Sequence, residues 1–150
     1  MATTARVRTP VHFWIVSALA LLWNAFGAYD YLMTRTHNLG YIASSMPGAD
    51  PNAVIAWVES MPLYAQVGWG LGVWMGLLGA VLMLVRSRYA VWAFAASMVG
   101  IVLGMGYQLL LAPPLEGASP NARIAGYAVI VVGAVLLAYA QAMRKRDLLH

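Results

Sequence analysis

Residues 64–85 read YAQVGWGLGVWMGLLGAVLMLV, a stretch of twenty-two residues without one acidic or basic side chain. As an α-helix it extends over roughly 33 Å, which is long enough to cross the hydrocarbon core of a bilayer. This stretch is therefore predicted to be a transmembrane helix.

Similar apolar runs on both sides give four predicted spans, at about residues 11–34, 63–85, 89–112 and 121–143. The chain is 62% hydrophobic and 9% charged, with a mean hydropathy of +0.72, whereas soluble domains carry about 25% charged residues. The predicted fold is an all-α membrane protein, a four-transmembrane-helix bundle that forms a single domain over residues 1–150. The basic start resembles a signal peptide, but the apolar run continues past Ala20, so an uncleaved first span is predicted.

The loop at residues 35–62 contains a predicted short helix between helices 1 and 2. Asp50 is suited to cap it and Pro51 to occupy its first position. Val54, Trp57 and Val58 then recur at helical spacing. The pattern predicts an amphipathic interfacial helix, which either lies on the membrane surface or packs across the mouth of the bundle as a lid.

Two helix starts have nearly the same sequence. Residues 48–56 read GADPNAVIA and residues 117–125 read GASPNARIA, with seven identities in nine positions. The flanking spans do not match at that offset, which favours convergence on one type of helix cap over duplication of a two-span unit.

The basic residues are distributed unequally between the two sides of the membrane. Four spans place both termini on one side, which receives seven of the nine basic residues: Arg6, Arg8, Arg86, Arg88, Arg144, Lys145 and Arg146. The opposite side receives Arg35 and Arg123, together with four of the five acidic residues. By the positive-inside rule, the protein is predicted to lie in a bacterial inner membrane with both termini in the cytoplasm and loop 35–62 in the periplasm.

Small residues recur along three of the spans at spacings that place them on one helix face. The candidate packing positions are Gly68, Gly72, Gly76, Ala96, Gly100, Gly104, Gly126 and Gly133. Such stripes allow two helices to approach closely in lipid. They serve either the internal bundle or a contact with a second copy or a larger membrane complex, and both alternatives stay open.

The polar and aromatic residues within the spans are concentrated in the halves that face loop 35–62. The candidate pocket residues are Asn24, Asp30, Tyr31, Gln66, Trp69, Tyr107, Gln108, Arg123 and Tyr127. They line either an outward-facing pocket for a neutral solute or a lipid headgroup, or they form an aromatic belt with interhelical hydrogen bonds. An ion pair between Asp30 and Arg123 is predicted at its mouth.

Familiar catalytic and cofactor chemistry is not recognisable. The chain has no cysteine, and its three histidines, His12, His37 and His150, stand at span ends or the terminus, away from positions where haem would be held. No nucleophile has a histidine at motif spacing, and no phosphate-binding glycine motif is found. We therefore predict no enzyme activity, no cofactor, no metal and no nucleic-acid partner.

A resemblance to a known family rests on motifs in the first two spans. They are Leu22-Trp23-Asn24, Gly27 and the run 30–34 (DYLMT) in the first span, and Pro62 with the tryptophan and glycine pattern of the second. The chain resembles a family of small proteobacterial four-span membrane proteins of uncharacterised activity, some of which carry an automated sugar-transporter label. The resemblance covers most of the chain and implies four spans. A solute path through four short helices requires more than one copy.

Two functions are consistent with these patterns. The first is a non-enzymatic accessory or oligomerising membrane subunit that binds partner helices or lipid through its glycine faces. The second is a transporter or binder of a small neutral, sugar-like solute that uses the outward polar residues.

Overall fold

The computed structural model describes residues 8–150, and Arg6 lies outside them. Its helices are α1 (Val11–Arg35), α2 (Leu39–Ser45), α3 (Pro51–Glu59), α4 (Leu63–Leu84), α5 (Ala90–Leu110) and α6 (Asn121–Lys145). Four of them, α1, α4, α5 and α6, are long and apolar enough to cross a membrane. The predicted fold class, a four-helix membrane bundle, is confirmed.

The ends of the long helices lie within two residues of the predicted spans. The third span stops at Leu110, because the amides of Leu111 and Ala112 both bond to the Tyr107 carbonyl ahead of Pro113. The fourth continues to Lys145, since no helix breaker precedes it and cations in a last turn are favourable for the helix dipole.

Two short helices, rather than one, occupy the loop between α1 and α4. The predicted helix is α3, where Asp50 caps the start by accepting from the Asn52 amide at 3.0 Å. The additional helix, α2, begins where Asn38 accepts from the Tyr41 amide at 2.9 Å. We call the side of the bundle with α2 and α3 the loop side, and the side where α1 begins and α6 ends the terminal side.

The two similar segments have similar turns, although α3 begins at its proline, Pro51, and α6 begins one residue after its proline, at Asn121. Ser119 accepts from the Asn121 amide at 3.2 Å, as Asp50 does from Asn52 at the start of α3. The glycines that precede them, Gly48 and Gly117, both have positive φ, at 106° and 76°. Their backbones touch, so a Cβ on Gly117 would overlap the Gly48 carbonyl. The shared sequence therefore makes two matched helix starts that pack against each other.

The four long helices are arranged as α1 on α4, α4 on α5 and α5 on α6. The crossing of α4 and α5 is the closest, because Gly100 of α5 lies directly on the backbone of Gly68 and Gly72 of α4. Across it, the Ser97 hydroxyl donates to the Gly72 carbonyl at 2.6 Å. Small residues and this buried hydrogen bond hold the two helices together in place of a hydrophobic driving force.

The remaining candidate packing positions also face helices of this chain. Gly76 lies against Asn24 of α1 and Ser97 of α5, and Gly104 lies against the Trp69 backbone. On α6, Gly126 faces Leu109 and Met105, and Gly133 faces Met98 and Ile101 of α5. Ala96 is half-buried. The glycines of these stripes that lie on α4, α5 and α6 therefore pack against helices of this chain.

The core of the terminal side is completed by the end of the chain. Leu148 and Leu149 are buried in the cluster that contains Phe13 and Met83. The tail is held by backbone bonds to the turn between α4 and α5, where the His150 amide donates to the Arg86 carbonyl at 2.9 Å. The segment after α6 is thus an integral part of the bundle.

Candidate functional site

The predicted outward polar residues do not form one shared group, because most of them bind nearby partners. Asp30 accepts from the Tyr41 hydroxyl of α2 at 2.8 Å. Burial and then this carboxylate raise the pKa of Tyr41 to about 12. The hydroxyl therefore stays protonated and ties α2 to α1 throughout the physiological pH range.

Gln66 joins three elements at the loop side. Its amide nitrogen donates to the Met61 carbonyl at 2.9 Å and to the Glu59 carbonyl at 3.3 Å. Its oxygen accepts from Arg35 at the end of α1 at 3.1 Å. With every polar atom of its amide in use, Gln66 serves to fix the end of α3 and the start of α4 to α1.

Three of the aromatic members of the predicted pocket, Tyr31, Trp69 and Tyr107, pack in edge-to-face pairs. The ring centroids of Tyr31 and Trp69 are 4.8 Å apart, and those of Tyr64 and Tyr107 are 6.0 Å apart. The indole of Trp57 in α3 donates to the Pro113 carbonyl at 2.8 Å, which holds α3 against the loop between α5 and α6. These contacts anchor the loop side of the bundle.

The predicted ion pair between Asp30 and Arg123 does not form, because Asp30 is bonded to Tyr41. Arg123 and Tyr127 are exposed on α6, away from the pairs described above. Between residues 8 and 150 the contact found between a basic and an acidic side chain joins His37 Nε2 to a Glu59 carboxylate oxygen at 3.1 Å, and both side chains are exposed. Gln108 is half-buried and makes no side-chain hydrogen bond within that range.

Asn24 lies deeper, at the contact between α1 and α4. Its amide nitrogen donates to the Ala20 carbonyl at 2.8 Å, and its oxygen lies against Gly76. A polar side chain at this depth is costly unless it is bonded, and this bond within α1 satisfies its donor. No set of three metal-ligating side chains is found in the described part of the chain.

A groove between α1 and α6 is a surface that the sequence analysis did not single out. The two helices diverge there and leave an open cavity of about 510 Å³. Its walls are formed by apolar and aromatic side chains, namely Val16, Leu19, Ala20, Leu22, Trp23, Phe26, Val132 and Leu136. The cavity is a shallow depression that is open along one side. We call this cavity the α1–α6 groove.

The side chains along the groove are largely uncovered. Leu22 is 67% exposed and Phe26 is 65% exposed, whereas Ala20 and Leu136 are buried at its floor. The α1 residues recur at helical spacing from Val16 onward, so periodicity could have identified the face. It could not have shown that α6, rather than closing over this face, packs mainly on α5.

The terminal-side end of the groove is closed by a polar contact between its two helices. His12 Nδ1 and the Tyr139 hydroxyl are 2.9 Å apart, and their rings are perpendicular, with centroids 6.1 Å apart. The groove therefore has a polar end at His12 and Tyr139 and apolar walls along the rest of its length.

Comparison of this chain with known proteins identifies no relative, since no family model, no curated protein and no solved structure matches it.

Proposed function

We propose that the protein is a non-enzymatic, lipid-binding accessory protein of the bacterial inner membrane, and that it acts by holding a lipid acyl chain in the α1–α6 groove. The observation that carries the proposal is the groove itself, an open apolar cavity of about 510 Å³ on the surface of two helices that are long and apolar enough to cross a membrane. A lipid chain is the apolar molecule that surrounds such a surface at high concentration.

The lining of the groove favours a lipid chain over a partner helix. Helices in lipid associate through small residues that bring backbones together, and this chain already uses its glycines in that way. The groove instead has bulky walls, such as Leu22, Trp23 and Phe26. On α6 only Val132 and Leu136 contribute, about 6 Å of helix by rise, which is too short a stripe for a helix to pack along.

Transport of a neutral solute has weaker support. The residues expected to bind a solute, Asp30 and Gln66 among them, are bonded to other parts of the loop side. Arg123 and Tyr127 stand apart from them. These contacts favour the alternative interpretation of the polar residues as an anchor for α2 and α3.

The proposed orientation places both termini in the cytoplasm. It is supported by the charge difference between the two sides, with Arg86, Arg88 and the run 144–146 all on the terminal side. Two reporter enzymes are fused in turn after His150, one that is active only in the cytoplasm and one that is active only in the periplasm. The cytoplasmic reporter is expected to be active, and activity of the periplasmic reporter alone would contradict the orientation.

Replacing Val132 by tryptophan is expected to expel the lipid from the groove. The added ring removes roughly ten atomic contacts of about 0.1–0.2 kcal/mol each from an acyl chain, which corresponds to a loss of affinity of about fivefold or more. Native mass spectrometry of the detergent-purified protein, titrated with a phospholipid, measures the bound fraction.

The matched control is Val131→Trp, the same change one residue away on a side chain that is 59% exposed and does not line the groove. It is expected to leave lipid binding unchanged. Equal binding by the wild type and both variants would contradict the proposal. The proposal would also be contradicted if the mass spectra showed a second copy of the chain bound in place of lipid, and if Val132→Trp removed that copy.

A further inference from the structure

The α1–α6 groove ends next to the most basic part of the described chain. We infer that this end binds the phosphate of an anionic phospholipid whose acyl chain occupies the groove, with His12, Tyr139 and Arg146 as the headgroup site. This inference rests on the proposed function and adds the lipid class that the groove selects.

Part of the groove lies within the leaflet on the terminal side. Val16 lies about 8 Å and Phe26 about 22 Å along α1 from its first residue, Val11, at 1.5 Å per residue. The hydrocarbon core is about 30 Å thick, so one leaflet contributes about half of that. Measured from the start of the span at Val11, the leaflet on the terminal side covers the groove from Val16 to about Leu22, and Phe26 lies past the midplane. An acyl chain in that part of the groove has its headgroup beside His12.

The contact between His12 and Tyr139 leaves a donor free in either neutral state of the imidazole. If Nδ1 carries the proton, it donates to the Tyr139 oxygen, and the phenol O–H is free to donate elsewhere. If Nε2 carries the proton, Nδ1 accepts from the phenol and the Nε2–H is free. Either arrangement offers one hydrogen bond to a phosphate oxygen at the end of the groove.

Arg146 supplies the charge. Arg146 is the C-cap residue of α6, seven residues after Tyr139, which places it on the same face of the helix two turns closer to the terminal side. Within residues 8–150 it forms neither an ion pair nor a side-chain hydrogen bond. The acidic residue closest in sequence, Asp147, is opposed by Arg144 and Lys145 in the last turn of α6. A planar guanidinium with unused donors suits a phosphate oxygen pair, and basic pockets between membrane helices on the cytoplasmic side bind anionic headgroups.

The inference is tested by comparing two lipids with identical acyl chains, phosphatidylglycerol and phosphatidylethanolamine, in the same native mass spectrometry titration of the full chain. The wild type is expected to bind phosphatidylglycerol about fivefold more tightly, as one basic residue near a headgroup provides. Arg146→Gln is expected to abolish that preference, and Arg146→Lys to retain most of it.

Arg88→Gln is the control with the same loss of charge on the same side of the bundle. Arg88 is exposed and lies over the Tyr89 ring, 5.4 Å from its centroid, and it takes no part in the groove. It is expected to leave the preference intact. An equal loss in both variants would mean a diffuse charge effect and overturn the inference.

The failure of the inference is distinguishable from that of the proposed function. Equal binding of both lipids by the wild type, with Val132→Trp still lowering each, would overturn the headgroup site alone. Binding that Val132→Trp leaves unchanged would overturn both. Competition by inorganic phosphate without any acyl chain would show a plain anion site and would also overturn the lipid assignment.

Discussion

Replacing Gly100 by alanine is expected to unfold the bundle or to lower its free energy of unfolding by about 3 kcal/mol or more, because the added methyl group meets backbone that cannot yield. A Cβ at this position would overlap the Gly72 amide nitrogen, and it would lie 2.6 Å from the Gly68 carbonyl oxygen and 2.8 Å from the Gly72 Cα. Relief requires α4 and α5 to move apart, which also breaks the bond between Ser97 and the Gly72 carbonyl.

The same change at Gly106, six residues further along α5, is the matched control. A Cβ on Gly106 meets nothing within 4 Å. Alanine also favours a helix over glycine by about 0.8–1.0 kcal/mol in aqueous hosts. Gly106→Ala is therefore expected to be neutral or stabilising when both variants are denatured in mixed micelles. A Gly100→Ala protein as stable as Gly106→Ala would contradict the described crossing of α4 and α5.

Replacing Leu148 by alanine is expected to lower the free energy of unfolding by about 2–5 kcal/mol. Leu148 follows the last helix and is only 2% exposed, in the terminal-side core that includes Phe13 and Met83. Its backbone is fixed as well, since its carbonyl accepts from Arg86 Nε at 3.0 Å. The core can collapse only partly into the space that the missing methyl groups leave.

Val85→Ala serves as the control, because Val85 lies at the same side of the bundle and is 66% exposed. It is expected to change the stability by less than about 0.5 kcal/mol. Thermal unfolding followed by circular dichroism in one mild detergent gives both values. If Leu148→Ala matched Val85→Ala, the tail after α6 would not be a packed part of the bundle.

The sequence predicts the four spans because apolar runs of this length are typical of membrane-spanning helices. The helices in the structure begin and end within two residues of the predicted spans. The sequence also marks the glycines of α4 and α5 as contact positions. Which helix contacts a glycine stripe depends on the three-dimensional arrangement of the helices. The stripe alone therefore could not distinguish packing within the chain from association with a second protein. The structure assigns Gly68, Gly72 and Gly100 to each other.

Some helix ends and one short helix could not be predicted, because the residues there are not typical of such structures. Three helices end on a left-handed residue that is not glycine, namely His37, Arg86 and Asp147, with φ between 55° and 62°. Glycine is the residue that normally indicates such an end. The short helix α2 was missed as well, since seven residues carry too little periodicity to predict.

The contacts of the candidate polar residues depend on elements that their sequence positions do not reveal. Residues on the same side of four helices were expected either to line one pocket or to form interhelical hydrogen bonds. Asp30 binds Tyr41 of α2, a helix that the sequence analysis did not predict. Gln66 binds the carbonyls of Glu59 and Met61 at the end of α3 and beyond it. The α1–α6 groove was missed because it results from two helices that do not meet over most of their length. Sequence patterns indicate which residues pack against a neighbouring helix, but they do not indicate where two helices leave a space between them.

The α1–α6 groove can be observed directly by solution NMR of the methyl-labelled protein in lipid nanodiscs. Our account predicts nuclear Overhauser effects from the methyl groups of Leu19, Val132 and Leu136 to acyl-chain methylenes of a bound lipid, and their loss in Val132→Trp. Effects that instead join Leu22 to α6 of the same chain, or to a second copy, would show the groove closed or occupied by protein, and would contradict the account.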